Sequence, residues 1–87
     1  MNRIEAIQAN LSTLEPISIE INDESAKHAG HAGARDGGGH YIVHIVSARF
    51  TGENTVARHR MIYSALGEMM KREIHALKIH ANAPDEI

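Results

Sequence analysis

Three histidines stand in HAGHAGARDGGGHY, residues 28 to 41, a run otherwise made mostly of glycine, alanine and a few charged residues. Imidazole binds borderline metals and carries protons near neutral pH, so His28, His31 and His40 are candidates for either chemistry. Glycine-rich runs lose more backbone entropy on ordering than any other kind, so placing imidazoles on one calls for a reason. His44, His59, His75 and His80 bring the total to seven in 87 residues. Protonating all seven would carry the net charge from −2 to +5, which makes pH a variable for this chain. Cysteine is absent, which removes disulfides, a thiol nucleophile and any self-contained thiolate metal centre. If this chain takes part in soft-metal chemistry, a partner must bring the sulfur.

Other chemistries find less support. Ser25, Ser47 and Ser64 lack a nucleophile-elbow context, no phosphate loop is present, and no carboxylate pair stands out, so no enzyme is expected. Nine Lys and Arg against eleven Asp and Glu argue against broad, non-specific capture of nucleic acid. Arg58 and Arg60, on either side of His59, make the best local case for it, with the arginines expected to point outward and the histidine to pack. A nucleotide clamp of the KH kind needs GxxG, however, and TGEN at 51 to 54 gives one glycine and the acid Glu53. An adventitious zinc or nickel site in the histidine-rich loop and a pH-gated interaction are two further readings.

The elements that would position these groups follow from pattern. Ile4, Ile7, Leu11 and Leu14 form a helical stripe that Pro16 ends. PISIEIND then alternates Ile17, Ile19 and Ile21 against polar residues, a half-buried strand. The pattern dissolves for about 16 residues, longer than most loops in compact domains, giving a flexible Gly/His-rich loop at about 24–39. HYIVHIVS, residues 40 to 47, is the strongest strand signal and is expected to be central, with Tyr41, Val43 and Ile45 on one face. A wide hairpin should join it to the first strand. TGEN is a turn, with Asn54 or Thr55 capping a helix whose stripe runs Val56, His59, Ile62 or Tyr63, Leu66 and Met69 or Met70. Gly67 divides that run into two helices. IHALKIHA gives a third strand, Leu77 and Ile79 inward, Lys78 and His80 outward, closed by Pro84 and an acidic tail. His44 and His80 are expected to be solvated, and His40 to cap the hairpin or support a neighbouring group through its second nitrogen.

The result is one α+β domain over residues 1–87, with a three-stranded mixed sheet covered on one face by helices. Its core must be aliphatic, because Tyr41, Phe50 and Tyr63 are the only aromatic residues. No apolar run approaches the roughly 18 residues of a membrane span, and the start does not read as a secretion signal, so the expected location is cytoplasmic.

FTGENTVARHRMIYSALGEMM followed by IHALKIHA resembles the BolA family, and DES-x-KH at 23 to 28 strengthens the likeness. The resemblance covers roughly residues 3 to 84. It implies a helix–strand–strand–helix–helix–strand domain of the KH-like, reversed (type II) topology. It also implies partnership with a monothiol glutaredoxin and a shared 2Fe–2S cluster. The glutaredoxin and its glutathione would supply thiolates, and this chain would supply histidines. On that resemblance the metal ligands fall on His75, in IHAL, and on His28 after DES-x-K, with His31 as the alternate because HAGHAG doubles the motif. Mixed His and Cys ligation of a cluster is chemically sound. Some family members act as DNA-binding regulators, which would engage Arg58 and Arg60. A monomer and a homodimer both remain open for the free protein.

Overall fold

The computed structural model describes residues 2–25 and 39–87. In chain order the elements are α1 (Arg3–Leu11), β1 (Ser18–Asp23), β2 (Gly39–Val46), α2 (Thr55–Leu66), α3 (Met69–Arg72) and β3 (Ile74–Asn82). Single 3-10 turns occupy Ser12–Leu14, Ala48–Phe50 and Pro84–Glu86. The expected order of elements is therefore the observed one.

Each helix starts where its local chemistry allows. The Asn2 side chain accepts from the Glu5 N–H at 2.8 Å, and the Glu5 carboxylate accepts from the Asn2 N–H at 3.1 Å. This reciprocal pair satisfies two donors that the first turn of α1 would leave open. Pro16 disfavours helical backbone at Glu15, which instead takes a left-handed φ of 51° and turns the chain toward β1. Asn54 caps α2 by accepting from the Ala57 N–H at 2.8 Å. Gly67, at φ 53°, closes α2 with its N–H on the Tyr63 carbonyl, and α3 starts two residues later.

The sheet runs β1-β2-β3. β1 lies antiparallel to β2, from Ser18 opposite Val46 to Asp23 opposite Tyr41. β3 lies parallel to β2, from His40 opposite Ala76 to Val46 opposite Asn82. Parallel neighbours need a crossover, and α2 and α3 provide it. As the alternation required, Tyr41, Val43 and Ile45 are buried on the inner face. There they join Ile7 and Leu11 of α1, Ile62 and Leu66 of α2, and Phe50 in one core cluster. Two stripe residues depart from expectation. Ile17 precedes β1 at the rim and is 67 % exposed, and Val56, in the first turn of α2, is 59 % exposed. The buried stripe of α2 begins one turn later, and at the ambiguous position Ile62 takes the core while Tyr63 is 41 % exposed.

One buried polar group ties the end of β2 to the rest. Ser47 is fully buried; its Oγ donates to the Leu14 carbonyl at 2.6 Å and accepts from the Arg49 N–H at 3.1 Å. Its own N–H donates to the Asn82 carbonyl at 3.0 Å, so three segments meet there. Ser47→Ala strands the Leu14 carbonyl and should destabilise the domain by about 1–3 kcal/mol. Urea unfolding should show a lower midpoint with an unchanged slope; a midpoint equal to wild type would mean water replaces the hydroxyl.

Candidate functional site

His75 is the second residue of β3, and the sheet register gives it a special backbone position. Gly39 faces Ile74 and His40 faces Ala76, so His75 is an extra residue on β3 with no counterpart on β2. That is a β-bulge, a device that breaks the ladder locally and re-aims a side chain. Ile74, 2 % exposed, anchors the strand on one side of it, while the His75 side chain faces solvent. The His40 ring lies against it, centroids 5.1 Å apart and planes tilted by 44°.

His40 is in turn held by its backbone. Its N–H donates to Ser25 Oγ at 3.0 Å, and its carbonyl accepts from the Glu24 N–H at 2.7 Å. His40 thus closes the hairpin through its backbone, as expected, while its ring meets His75 by a tilted ring contact. Ser25 is itself fixed by Asp23, whose Oδ1 accepts the Ser25 N–H at 2.8 Å. Hydrogen bonds from the Ser25 side chain and then its backbone hold the Asp23 carboxyl below its ordinary range, with Arg3 adding a smaller electrostatic pull. At the other end of the connection, the Gly39 N–H donates to the Glu73 carbonyl at 2.9 Å. A Cβ at residue 39 would run into the buried Tyr41 ring, so this last glycine of the run is there for close packing. Both ends of the histidine-bearing connection are thus fastened at the end of the sheet that carries His75. His28 and His31 lie outside the described residues.

The surroundings of His75 are positive. A cleft of about 490 Å³ runs beside it, bordered by Arg3 of α1 and by Lys71, Arg72 and Glu73 around the end of α3. Three cations face one acid there. Among the described residues no three His, Asp or Glu side chains are gathered as a complete metal site. Within the described part, His75 is an exposed imidazole backed by a second imidazole, that of His40.

The RHR segment requires a correction. Arg58, expected to point outward, folds back and its side chain is 12 % exposed. Its Nη1 and Nη2 grip both Glu86 carboxylate oxygens at 2.5 and 2.7 Å, Nη1 also donates to the Ala81 carbonyl at 3.0 Å, and Nε donates to the Glu53 carbonyl at 2.8 Å. The guanidinium also lies 6.0 Å from the centroid of the Phe50 ring. The physical reason is the turn after β3, which delivers Glu86 to Arg58, and a two-pronged guanidinium–carboxylate pair outcompetes water. Arg60 remains exposed, and His59 packs half-buried, edge-on to Tyr63. His44 and His80 are exposed as expected, yet they stack on each other with centroids 4.5 Å apart and planes within 6°. The bulge, the Arg58–Glu86 pair and this stack all depend on strand register or on a distant turn, for which residue spacing carries no signal.

The fold and site together define a small α+β domain with a mixed β1-β2-β3 sheet, helices on one face and a histidine in the bulge at the mouth of β3. The BolA-like protein family matches residues 11–86. The chain is 43 % identical over 79 residues to the SufE-like protein 1, chloroplastic/mitochondrial, of Arabidopsis thaliana, covering 85 % of this chain and 21 % of that protein. It is 44 % identical over 69 residues to the DNA-binding transcriptional regulator BolA of Escherichia coli, covering 79 % of this chain and 63 % of that one. Among solved structures, the BolA domain of SufE1 from Arabidopsis thaliana superposes with a TM-score of 0.86 at 38 % identity, covering 100 % of this chain and 98 % of the other. The chain belongs to the BolA-like family. It spans less than two thirds of the length of either curated relative. No described helix is long and apolar enough to cross a membrane.

The Arg58–Glu86 pair makes stability depend on pH in a defined window. Glu86 is held down to about 2 from the usual 4.5, first by Arg58 and then by the Ala83 N–H. A carboxylate depressed in the folded state stabilises above its unfolded pKa, and that increment fades as pH falls through the folded one. Wild type should therefore lose stability between about pH 4.5 and 2, and Glu86→Gln should lose less over the same range. Urea midpoints measured against pH for both proteins test this; parallel curves would mean the pair contributes nothing in solution.

Proposed function

We propose that this chain is a non-enzymatic accessory protein of iron–sulfur metabolism that docks a monothiol glutaredoxin and helps hold or pass on a 2Fe–2S cluster. The observation that carries the reading is His75, an exposed imidazole in a bulge, at the sheet end where both flanks of the His28 and His31 segment are fastened. His75 and His28 would be the ligands from this chain, with His31 as the alternate to His28. The chain has no cysteine, so the thiolates would come from the glutaredoxin and its glutathione. A thiolate-ligated cluster brings negative charge, and Arg3, Lys71 and Arg72 in the adjoining cleft suit it. His40, packed against His75, would restrict the ring to orientations that face a docked partner. The reading assigns the chain to the cytoplasm.

The test is visible absorption and circular dichroism of a cluster-loaded monothiol glutaredoxin, titrated anaerobically with this protein. Wild type should give a saturating change that His75→Ala largely removes. Because His75 is exposed, that substitution should leave unfolding stability within about 0.5 kcal/mol. His28→Cys should keep a cluster with an altered spectrum, since thiolate also suits iron. No change with wild type would defeat the proposal.

A second reading is supported by the name of the Escherichia coli relative, a DNA-binding transcriptional regulator. Arg60 would then be the phosphate contact, because Arg58 is already bound to Glu86. If this chain binds DNA through α2, Arg60→Ala should weaken binding across sequences and lower the salt slope by about one. Arg58→Ala should instead act through stability. Equal affinities for wild type and Arg60→Ala in fluorescence anisotropy would remove α2 from the interface.

A further inference from the structure

The face of the sheet away from the helices carries a second arrangement of nitrogen and oxygen donors, independent of His75. Register places Glu20 of β1 opposite His44 of β2, and His44 beside His80 of β3. The three residues form one row across the sheet, and all three are exposed. The two rings already touch, centroids 4.5 Å apart and nearly parallel. We propose that His44 and His80 form a surface chelate for a borderline divalent cation such as zinc, nickel or copper(II), with Glu20 the carboxylate placed to complete it.

Three physical points support this. Neutral imidazole is the donor these ions prefer among oxygen and nitrogen side chains. Neighbouring strands are about 4.8 Å apart, so two rings on one row can turn to bring a nitrogen each to about 2.0–2.1 Å from a shared ion. The strands themselves are held by the ladder, so only side-chain torsions must be ordered on binding. As the side chains stand, no third ligand is drawn in with the two rings. The Glu20 carboxylate must therefore swing across from β1, and water takes the remaining positions. Lys78, one row away on the same strand and face, is the neighbouring cation that Glu20 must offset. The row lies five residues along β3 from His75, roughly 16 Å at about 3.3 Å per residue, so the two sites are separable.

The decisive experiment is addition of copper(II) to the isotopically labelled protein, followed by paramagnetic broadening of amide signals and by the titration midpoint. Signals of Glu20, His44 and His80 should broaden together at substoichiometric copper, in wild type and equally in His75→Ala. His44→Gln and His80→Gln should each abolish that local broadening or shift its midpoint by at least about tenfold, since even an outer-shell partner is worth roughly 10- to 100-fold in affinity. Glu20→Gln should give a smaller shift in the same direction. Zinc, read from the same signals as shift changes, should reproduce the pattern. Broadening confined to other histidines, or left unaltered by both glutamine variants, would overturn the proposal and leave the stack as a packing contact. Both variants keep a polar side chain on an exposed face, and their dispersed amide spectra would verify the fold within the same experiment.

Discussion

Everything in this domain is organised by the double pairing of β2. Its backbone is hydrogen-bonded to β1 on one side and β3 on the other, while its side chains alternate between a buried inner face and a solvated outer one. That alternation admits no slip, because a shift of one residue would send Tyr41, Val43 and Ile45 into water and His40, Ile42 and His44 into the core. The two ends of the strand are pinned by different chemistry. At one end Ser47 joins the turn after α1 to the end of β3 through a buried hydroxyl and its own amide. At the other, Gly39 fits under the Tyr41 ring and its amide reaches back to Glu73.

This fixed strand explains how a histidine at an exposed position can still be well aimed. The bulge at His75 exists only because β2 and β3 are in strict register on the far side of it, from His40 opposite Ala76 to Val46 opposite Asn82. Seven paired positions hold the ladder, and one unpaired residue is released from it. The same strand supplies His40 as backing, and Glu24 and Ser25, just beyond the end of its partner β1, act as fasteners. The cations of the adjoining cleft arrive from the start of α1 and the end of α3, which the core holds over the inner face. An exposed imidazole, the ring that backs it and the charge around it thus come from four elements that meet at one corner of the fold.

Much of this was legible in the sequence, and the division has a physical basis. Periodicity reports which way a side chain faces, so the alternation in HYIVHIVS and the stripe of Ile7 and Leu11 gave the core faces of β2 and α1 directly. Punctuation reports where elements stop, and Pro16, Asn54 and Gly67 marked real boundaries. The RHR segment shows the limit. Spacing placed Arg58 on α2 but was silent on Glu86, 28 residues further on, whose carboxylate decides where that guanidinium points. Strand register was equally hidden, so His75 could be placed on a strand but not in a bulge, and His44 and His80 could be called exposed but not neighbours. Within the described residues, the part of the site that could be read from one sequence was its residue types; the part that could not was which of them meet.

His44 also bears on how the chain reaches this fold. The stretch Tyr41–Val46 is rich in β-branched residues and has no Lys, Arg, Asp, Glu or proline, the composition that favours strand-to-strand association between chains. Its parallel partner β3 lies beyond two helices in the sequence, so during folding one edge of β2 waits for a distant segment. A single imidazole in the middle of the run interrupts its apolar surface during that interval. The residue that stands in water on the finished sheet is thus also a polar break in the apolar run of the unfinished one, at the kind of position where gatekeeper residues are placed.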